Sequence, residues 1–536
     1  MKTFREAILL LPWAIGAASM ALPGSSSQVT FTAPMSWDSP PNPDATHHLV
    51  FNTVSSLLQR WPNTIYRNGH TVTPATISAG TILYHGRRNA IVPTTPEWLA
   101  FDFEHSHMFC RSSCYVISLM ATRDLRLVYF DGSNAAKMRG GPMDSQDILI
   151  WEYPHPERTS SERIRISELC AWGKPFSVDG FVRMEYHFEV MLCDFSAGTE
   201  VVTLSNLIPV DIGSRRRDAG SERSGYSDPP TRRPRLPPKR PDPPTGWKGS
   251  LPTLNFIEVL NAGSWHNQAP GETRVHIDYS GVVTFYNPSL TSLVEARRGQ
   301  PRSHHRLANI SKTDSELVRQ ELAEVFARQV KGPGGGIDWG SITHVIVKRY
   351  SERLELLQYL LEPATYTNVT EQAVAVRIQI LTMLAPYITT EAVRNSSDTS
   401  WVGSIVHYCS TTQTSMIPGG TLTPQERLIR DAVEGTLHEI CRRLTLMWVD
   451  AFDIEAATDR RKAEALGRWR VHVRELMEWL DWSVWNKCNP ACGIDALCHV
   501  PTWPFVEGDH PDDMTPRCIS RVRLGELALE QTLIYS

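Results

Sequence analysis

Between Gly213 and Pro252 the chain reads GSRRRDAGSERSGYSDPPTRRPRLPPKRPDPPTGWKGSLP, with arginine, proline, glycine and serine dominant and apolar residues nearly absent. Such a segment buries too little surface to offset the entropy of ordering it, which predicts a disordered or extended linker over 213–252. At 536 residues the chain is already too long for one compact core. The linker therefore predicts at least two folded parts. Its basic runs also offer processing sites for a dibasic protease.

The two flanks have different periodicities. Residues 47–210 begin with HHLVFNTVSSLLQRW, whose Leu49, Val54, Leu57 and Leu58 recur at helical spacing. Short runs rich in β-branched and aromatic residues follow: TILYH, EWLAF, CYVISLMA, LRLVYF, DILIWEY and HFEVMLCDF. They predict about six strands in an α+β domain. Residues 253–311 hold TRVHIDYSGVVTFYN, which reads as a β-hairpin turning at Ser280-Gly281. From 312 to 536 the pattern becomes mainly helical. Asp314 is a candidate cap for a helix with Leu317, Leu322, Val325 and Phe326 on one side. Thr423-Pro424-Gln425-Glu426 is a capping box ahead of a stripe from Leu428 to Trp448. A last stripe runs through Leu466, Trp469, Val473, Leu476, Leu480 and Val484, and such stripes pack as bundle cores. The overall expectation is an N-terminal mixed α/β domain, a linker and a C-terminal, mainly α-helical domain bearing disulfides.

The chemistry of the ends points to a compartment. Lys2 and Arg5 precede an apolar run from Ala7 to Ala21, with Ala18, Ser19 and Ala21 small enough for cleavage. This reads as a signal peptide over 1–21 and a secreted product. Ten cysteines, at 110, 114, 170, 193, 409, 441, 488, 492, 498 and 518, form an even set that favours disulfides in such a chain. Within it, Cys488, Cys492 and Cys498 suggest a small knotted loop rather than a zinc site. Asn309, Asn368 and Asn395 open N-glycosylation sequons. A net charge of −4 carries no basic excess for general nucleic-acid binding. No run after the signal is apolar enough to insert stably in a membrane.

The chemistry-bearing stretch is GTILYHGRRNAIVPTTPEWLAFDFEHSHMF, residues 80–109. A strand ends in His85-Gly86, an aromatic strand with Trp98 follows, and a polar helix start comes directly after. Gly86 lacks a Cβ and so would let a flat ligand approach the backbone. His85 can hydrogen-bond a sugar hydroxyl. His105 and His107 have metal-like residue types, but in a helix they would not share a face, and no metal is expected. Gly-x-Ser-x-Gly, His-Glu-x-x-His, Walker and dinucleotide-fold fingerprints are all absent from the sequence.

LYHGR followed by PEWLAFDFEHSHMF resembles the core of ADP-ribosyltransferases of the poly(ADP-ribose) polymerase type, over residues 80–195. Those proteins have a strand ending His-Gly-Ser/Thr, a YFA-like strand, a helix and a glutamate heading a later strand. The resemblance implies NAD+ as substrate, with His85, Gly86 and Trp98 binding it and Glu189 and His85 catalytic; Glu185 is the alternative glutamate. Arg87 departs from the family's small hydroxyl residue, and Trp98-Leu99 from its tyrosine. The resemblance further implies a NAD+ glycohydrolase if water accepts the ribosyl group, or a mono-ADP-ribosyltransferase if a protein does. Two other readings compete: a non-catalytic secreted or surface interaction protein, and a glycoside-acting enzyme with paired carboxylates. In overall style the rest of the chain resembles a secreted eukaryotic protein of fungal type.

Overall fold

A computed structural model describes residues 37–109, 113–207, 260–265, 269–329, 336–390, 400–500 and 514–521. The signal segment 1–21, the linker 213–252, Cys110 and Asn395 lie outside the described residues. At the N-terminus, α1 (His47–Ser56) stops at Leu58, whose φ of 60° breaks the helix before α2 (Arg60–Ile65).

The strands β1 (Thr71–Ile77), β2 (Ile82–Arg87), β3 (Glu97–Ala100), β4 (Cys114–Ala121), β5 (Leu125–Phe130), β6 (Gly180–Met184), β7 (Phe188–Leu192) and β8 (Thr199–Leu207) alternate with three helices. These are α3 (Phe103–His107), α4 (Asp144–Trp151) and α5 (Glu162–Gly173). After residue 260 come β9 (Val275–Ile277), β10 (Val283–Thr284), α6 (Thr291–Arg297), α7 (Lys312–Gln329), α8 (Trp339–Leu360), α9 (Val369–Leu384), α10 (Ser400–Thr411), α11 (Pro424–Asp450) and α12 (Asp459–Leu480). Two short strands, β11 (Ala496–His499) and β12 (Arg517–Ser520), pair near the end.

One ten-stranded sheet runs in the order β10-β1-β5-β6-β7-β3-β2-β4-β8, with β9 also on β1. Alternation along β1, β5, β6 and β7 separates two buried faces. Leu127, Tyr129, Val182, Val190 and Leu192 share one core with the helical half, including Leu437, Ile440, Trp469 and Leu476. Val128, Phe130, Phe181 and Met191 face the other way, under α4, α5, α6 and α7.

Several expectations need correction. Residues 275–284 do not form a hairpin: β9 and β10 lie end to end along β1, at Ala75–Ile77 and Thr71–Val72. The Asp278 carboxylate accepts from Ser280 N at 2.9 Å and closes a 3-10 turn that separates the two strands. DILIWEY contributes to helix α4 rather than a strand, since a short apolar run does not discriminate between the two. In α7 the buried position is Val318, and Leu317 is exposed. Asp314 sits inside the first turn of α7, and its carboxylate accepts from Ser292 N of α6 at 2.9 Å.

The largest correction concerns domain boundaries. The divisions 47–210, 253–311 and 312–536 separate sequence but not packing. Strands from beyond residue 260 complete the sheet, α7 covers one of its faces, and α1 packs on α11. The capping box at Thr423 forms as read, and the Thr423 hydroxyl also donates to Ser280 O at 2.8 Å.

Four disulfides join described cysteines: Cys170–Cys193, Cys409–Cys441, Cys488–Cys498 and Cys492–Cys518. Cys114 is also disulfide-bonded, and no described cysteine is free. Cys170–Cys193 lies before residue 207 and the other three pairs after residue 260. Among the described residues, no helix is long and apolar enough to cross a membrane.

Candidate active site

The site begins with the β6–β7 hairpin, where the antiparallel register sets Arg183 opposite Glu189 and Phe181 opposite Met191. Their side chains share the face covered by α4 and α5. There Arg183, Glu189 and Met191 line a cavity of about 330 Å³ with Glu97 and Trp98 of β3, Lys137, Glu162 of α5 and Glu185. Arg183, Glu185 and Glu189 are each at most 5% exposed. Charges so deeply buried are costly unless paired.

Pairing is provided mostly by Arg183. Its Nε donates to Glu189 Oε1 at 2.8 Å, its Nη1 to Gln146 Oε1 at 3.3 Å, and its Nη2 to Glu162 Oε1. Gln146 is held in turn by Asn134, whose amide donates to Ser145 Oγ at 2.8 Å. Ala135 N donates to Met184 O at 2.9 Å, which anchors the loop carrying Lys137 to β6. Lys137 Nζ stands 3.8 Å from Glu185 Oε1. Below the cavity, fully buried Arg165 donates through Nη2 to Asp147 Oδ1 at 2.7 Å.

The three glutamates differ in proton affinity because their partners differ. Burial pushes Glu185 up to about 8, and the nearby Glu189 charge adds to the rise. Burial also raises Glu189, but the Arg183 guanidinium opposes it directly. Burial would raise Glu162 too, yet the charge and hydrogen bond of Arg183 hold it below its ordinary value. One buried site thus carries a protonated carboxyl and ionised carboxylates near neutral pH, an arrangement suited to acid–base work.

The residues predicted from sequence divide here. Glu189, Trp98 and the alternative Glu185 line one cavity. His85 and Gly86 are not among its lining residues. Glu189 pairs with Ala100 and Ala100 with Tyr84, so alternation turns His85 to the opposite face of the sheet. His85 Nε2 instead lies 2.9 Å from Glu97 Oε2, and its ring meets Phe195 edge-on at 5.8 Å. That contact with His85 pulls Glu97 below its usual range, against burial. His85 stands beside the cavity without lining it, touching two of its lining residues: Glu97, and Trp98, whose ring it meets edge-on at 5.4 Å. A Cβ on Gly86 would fall 2.1 Å from Ser106 O, so α3 occupies the space expected for a ligand.

Trp98 is half-buried at the rim, with His105 stacked on it at 5.7 Å and Phe109 at 4.4 Å. His105 is fully buried in α3, and His107 is half-buried. Among the described residues the one metal-like cluster is Cys488, Cys492 and Cys498, all three bound in disulfides. Asn309 and Asn368 are exposed. Asn368 Oδ1 caps α9, accepting from Thr370 N at 2.8 Å.

Arg183, Glu162, Lys137 and Gln146 were missed in the sequence. The available signal was FDGSNAAKMRGGPMDSQD, a polar run joining a strand to a helix. Its burial shows only in three dimensions.

Residues 44–116 and 110–212 match a family model described as the YPL277C N-terminal domain. The uncharacterized protein YOR389W of Saccharomyces cerevisiae is 25% identical over 93% of this chain and 89% of its own length. The uncharacterized protein YPL277C of the same yeast is 30% identical over 44% of this chain, which spans 61% of it. No solved structure matches. The family match ends just beyond β8, before the strands that complete the sheet.

Proposed function

We propose that the acidic cavity cleaves the nicotinamide–ribose bond of NAD+, in a chain that is secreted. The observation that carries this reading is that Glu189 and Trp98 line one cavity of about 330 Å³. Four acidic side chains, at 97, 162, 185 and 189, line it beside three basic ones, at 137, 163 and 183. An indole at the rim of such a slot suits a flat cationic ring such as nicotinamidium. Its volume suits one such ring and a sugar.

As the C1′–N bond breaks, its electron pair leaves with neutral nicotinamide and positive charge passes to the ribose. The cation then loses its attraction to the slot, while the Glu189 carboxylate stabilises the oxocarbenium centre. Water adding at C1′ releases one proton and gives free ADP-ribose; a protein nucleophile gives the transfer product. Protonated Glu185 can donate a hydrogen bond to the sugar. On this reading His85 supports Glu97 from behind. Four disulfides are consistent with an oxidising compartment.

The test follows free nicotinamide by proton NMR, using purified protein lacking residues 1–21. Release by the wild type is expected. No release, together with no NAD+-induced shift in melting temperature, overturns the proposal. Protonated Glu185 beside the Arg183-paired Glu189 also favours a second reading, acid-catalysed cleavage of a neutral glycoside. In that case aryl glycosides would be hydrolysed and NAD+ would not.

A further inference from the structure

A single carboxylate joins the cavity's hairpin to parts of the chain far away in sequence. Asp102 ends the LAFD run of β3. Its Oδ2 accepts from Arg60 Nη2 of α2 at 3.2 Å and lies 3.0 Å from His187 Nδ1. Its Oδ1 accepts from Arg274 Nη2 at 2.9 Å. Arg274 also donates to Phe101 O at 2.8 Å, and it is clamped by Glu272, which accepts from Arg274 Nε at 2.7 Å. Burial alone would raise Asp102, but His187 and then Arg274 hold it well below the usual carboxylate range.

His187 is the last residue of the turn between β6 and β7, closed by Glu185 N donating to His187 O at 3.1 Å. Glu185 is two residues before it and Glu189 two residues after. Fixing His187 therefore fixes both glutamates relative to Trp98. The next turn residue, Tyr186, packs on Met108 and His105 and holds the same hairpin from another side.

We infer that Asp102 is the positioning residue of this site, holding the Glu185–Glu189 hairpin through His187 with Arg274 from beyond the linker as its counter-charge. The inference rests on the proposed site but not on its substrate. It has a structural corollary: residues 44–212, the stretch that matches the family model, lack the arginine that completes the arrangement.

The full secreted chain tests it with two variants, Asp102→Asn and the milder Arg274→Gln, which leaves Arg60 on Asp102. Amide hydrogen exchange across 184–189 should rise about tenfold in both variants, while α11 and α12 exchange as in the wild type. Nicotinamide release, if the wild type shows it, should fall roughly 100-fold in kcat for Asp102→Asn with KM nearly unchanged. Wild-type exchange across 184–189 in Asp102→Asn overturns the positioning role whatever the activity does. A rise across the whole chain overturns it too, since it would mark a general stabilising role. Faster local exchange in a wild-type background that never releases nicotinamide upholds the positioning role and discards the NAD+ reading.

Discussion

The helical half and the β6–β7 cavity bury their side chains on opposite terms. In α11 and α12 most burial is apolar, with Ile429, Leu437, Ile440, Trp469, Val473 and Leu476 at helical spacing in the core shared with one sheet face. Glu426 and the Glu439–Arg442 pair of α11 are buried as well. Across the same sheet, one layer away, Arg183, Glu185 and Glu189 are buried as deeply. Apolar burial stabilises in proportion to area. Buried charge costs desolvation that its pairing only partly offsets. The first region holds the fold together, and the second spends some of that stability on chemistry.

Breaking the helical side should have the largest effect. Trp469 is fully buried where α12 packs on α8, α9 and α11, and its indole donates to Asp450 at 2.9 Å. Trp469→Ala should cost about 4 kcal/mol in denaturant unfolding, with any activity lost alongside the fold. The mirror experiment is Glu189→Gln, which keeps an acceptor for Arg183 but removes the charge. Nicotinamide release should drop about 100- to 1,000-fold while the melting temperature stays within a few degrees. If both properties fell together, the contrast between scaffold and site would collapse.

The next effect turns on pH. Glu185 keeps its proton in the folded state up to about 8, against an ordinary value of 4.5. The unfolded chain releases that proton first as pH rises, so this group makes the fold less stable between about pH 4.5 and 8. Glu185→Gln removes that penalty. Its stability advantage over the wild type should be about 3 kcal/mol greater at pH 8 than at pH 5, as measured by urea unfolding at both values. A pH-independent difference would mean that Glu185 is ionised in the fold. The smallest effect belongs to the helical side again. Thr423→Ala removes the capping box of α11 and the bond to Ser280 O, and should lower stability by about 1 kcal/mol without changing activity.

The contrast also explains what the sequence made legible. The α11 cap and the stripes of α11 and α12 were readable because helix signals are local and periodic. Glu189 and Trp98 were found through a motif and fell in one cavity. His85 and Gly86 belonged to the same motif, yet pleat alternation and the backbone of α3 took them out of it. Arg183 and Glu162 carry no local sign of their role, since each gains it from a partner on another element. The strand pair read as a hairpin failed for a related reason: its true partner, β1, lies some two hundred residues earlier.

That pairing across the linker has a consequence for how the molecule is held together. β1 is flanked on one side by β5 and on the other by β9 and β10, and each of the four disulfides between described residues closes within one flank of the linker. The two flanks are therefore complementary fragments, joined through a shared sheet and core as well as through the peptide bond. Two separately made polypeptides ending near 207 and starting near 260 have the complementarity needed to reconstitute one sheet, and with it the Arg274–Asp102 contact beside a cavity that the first fragment lines by itself.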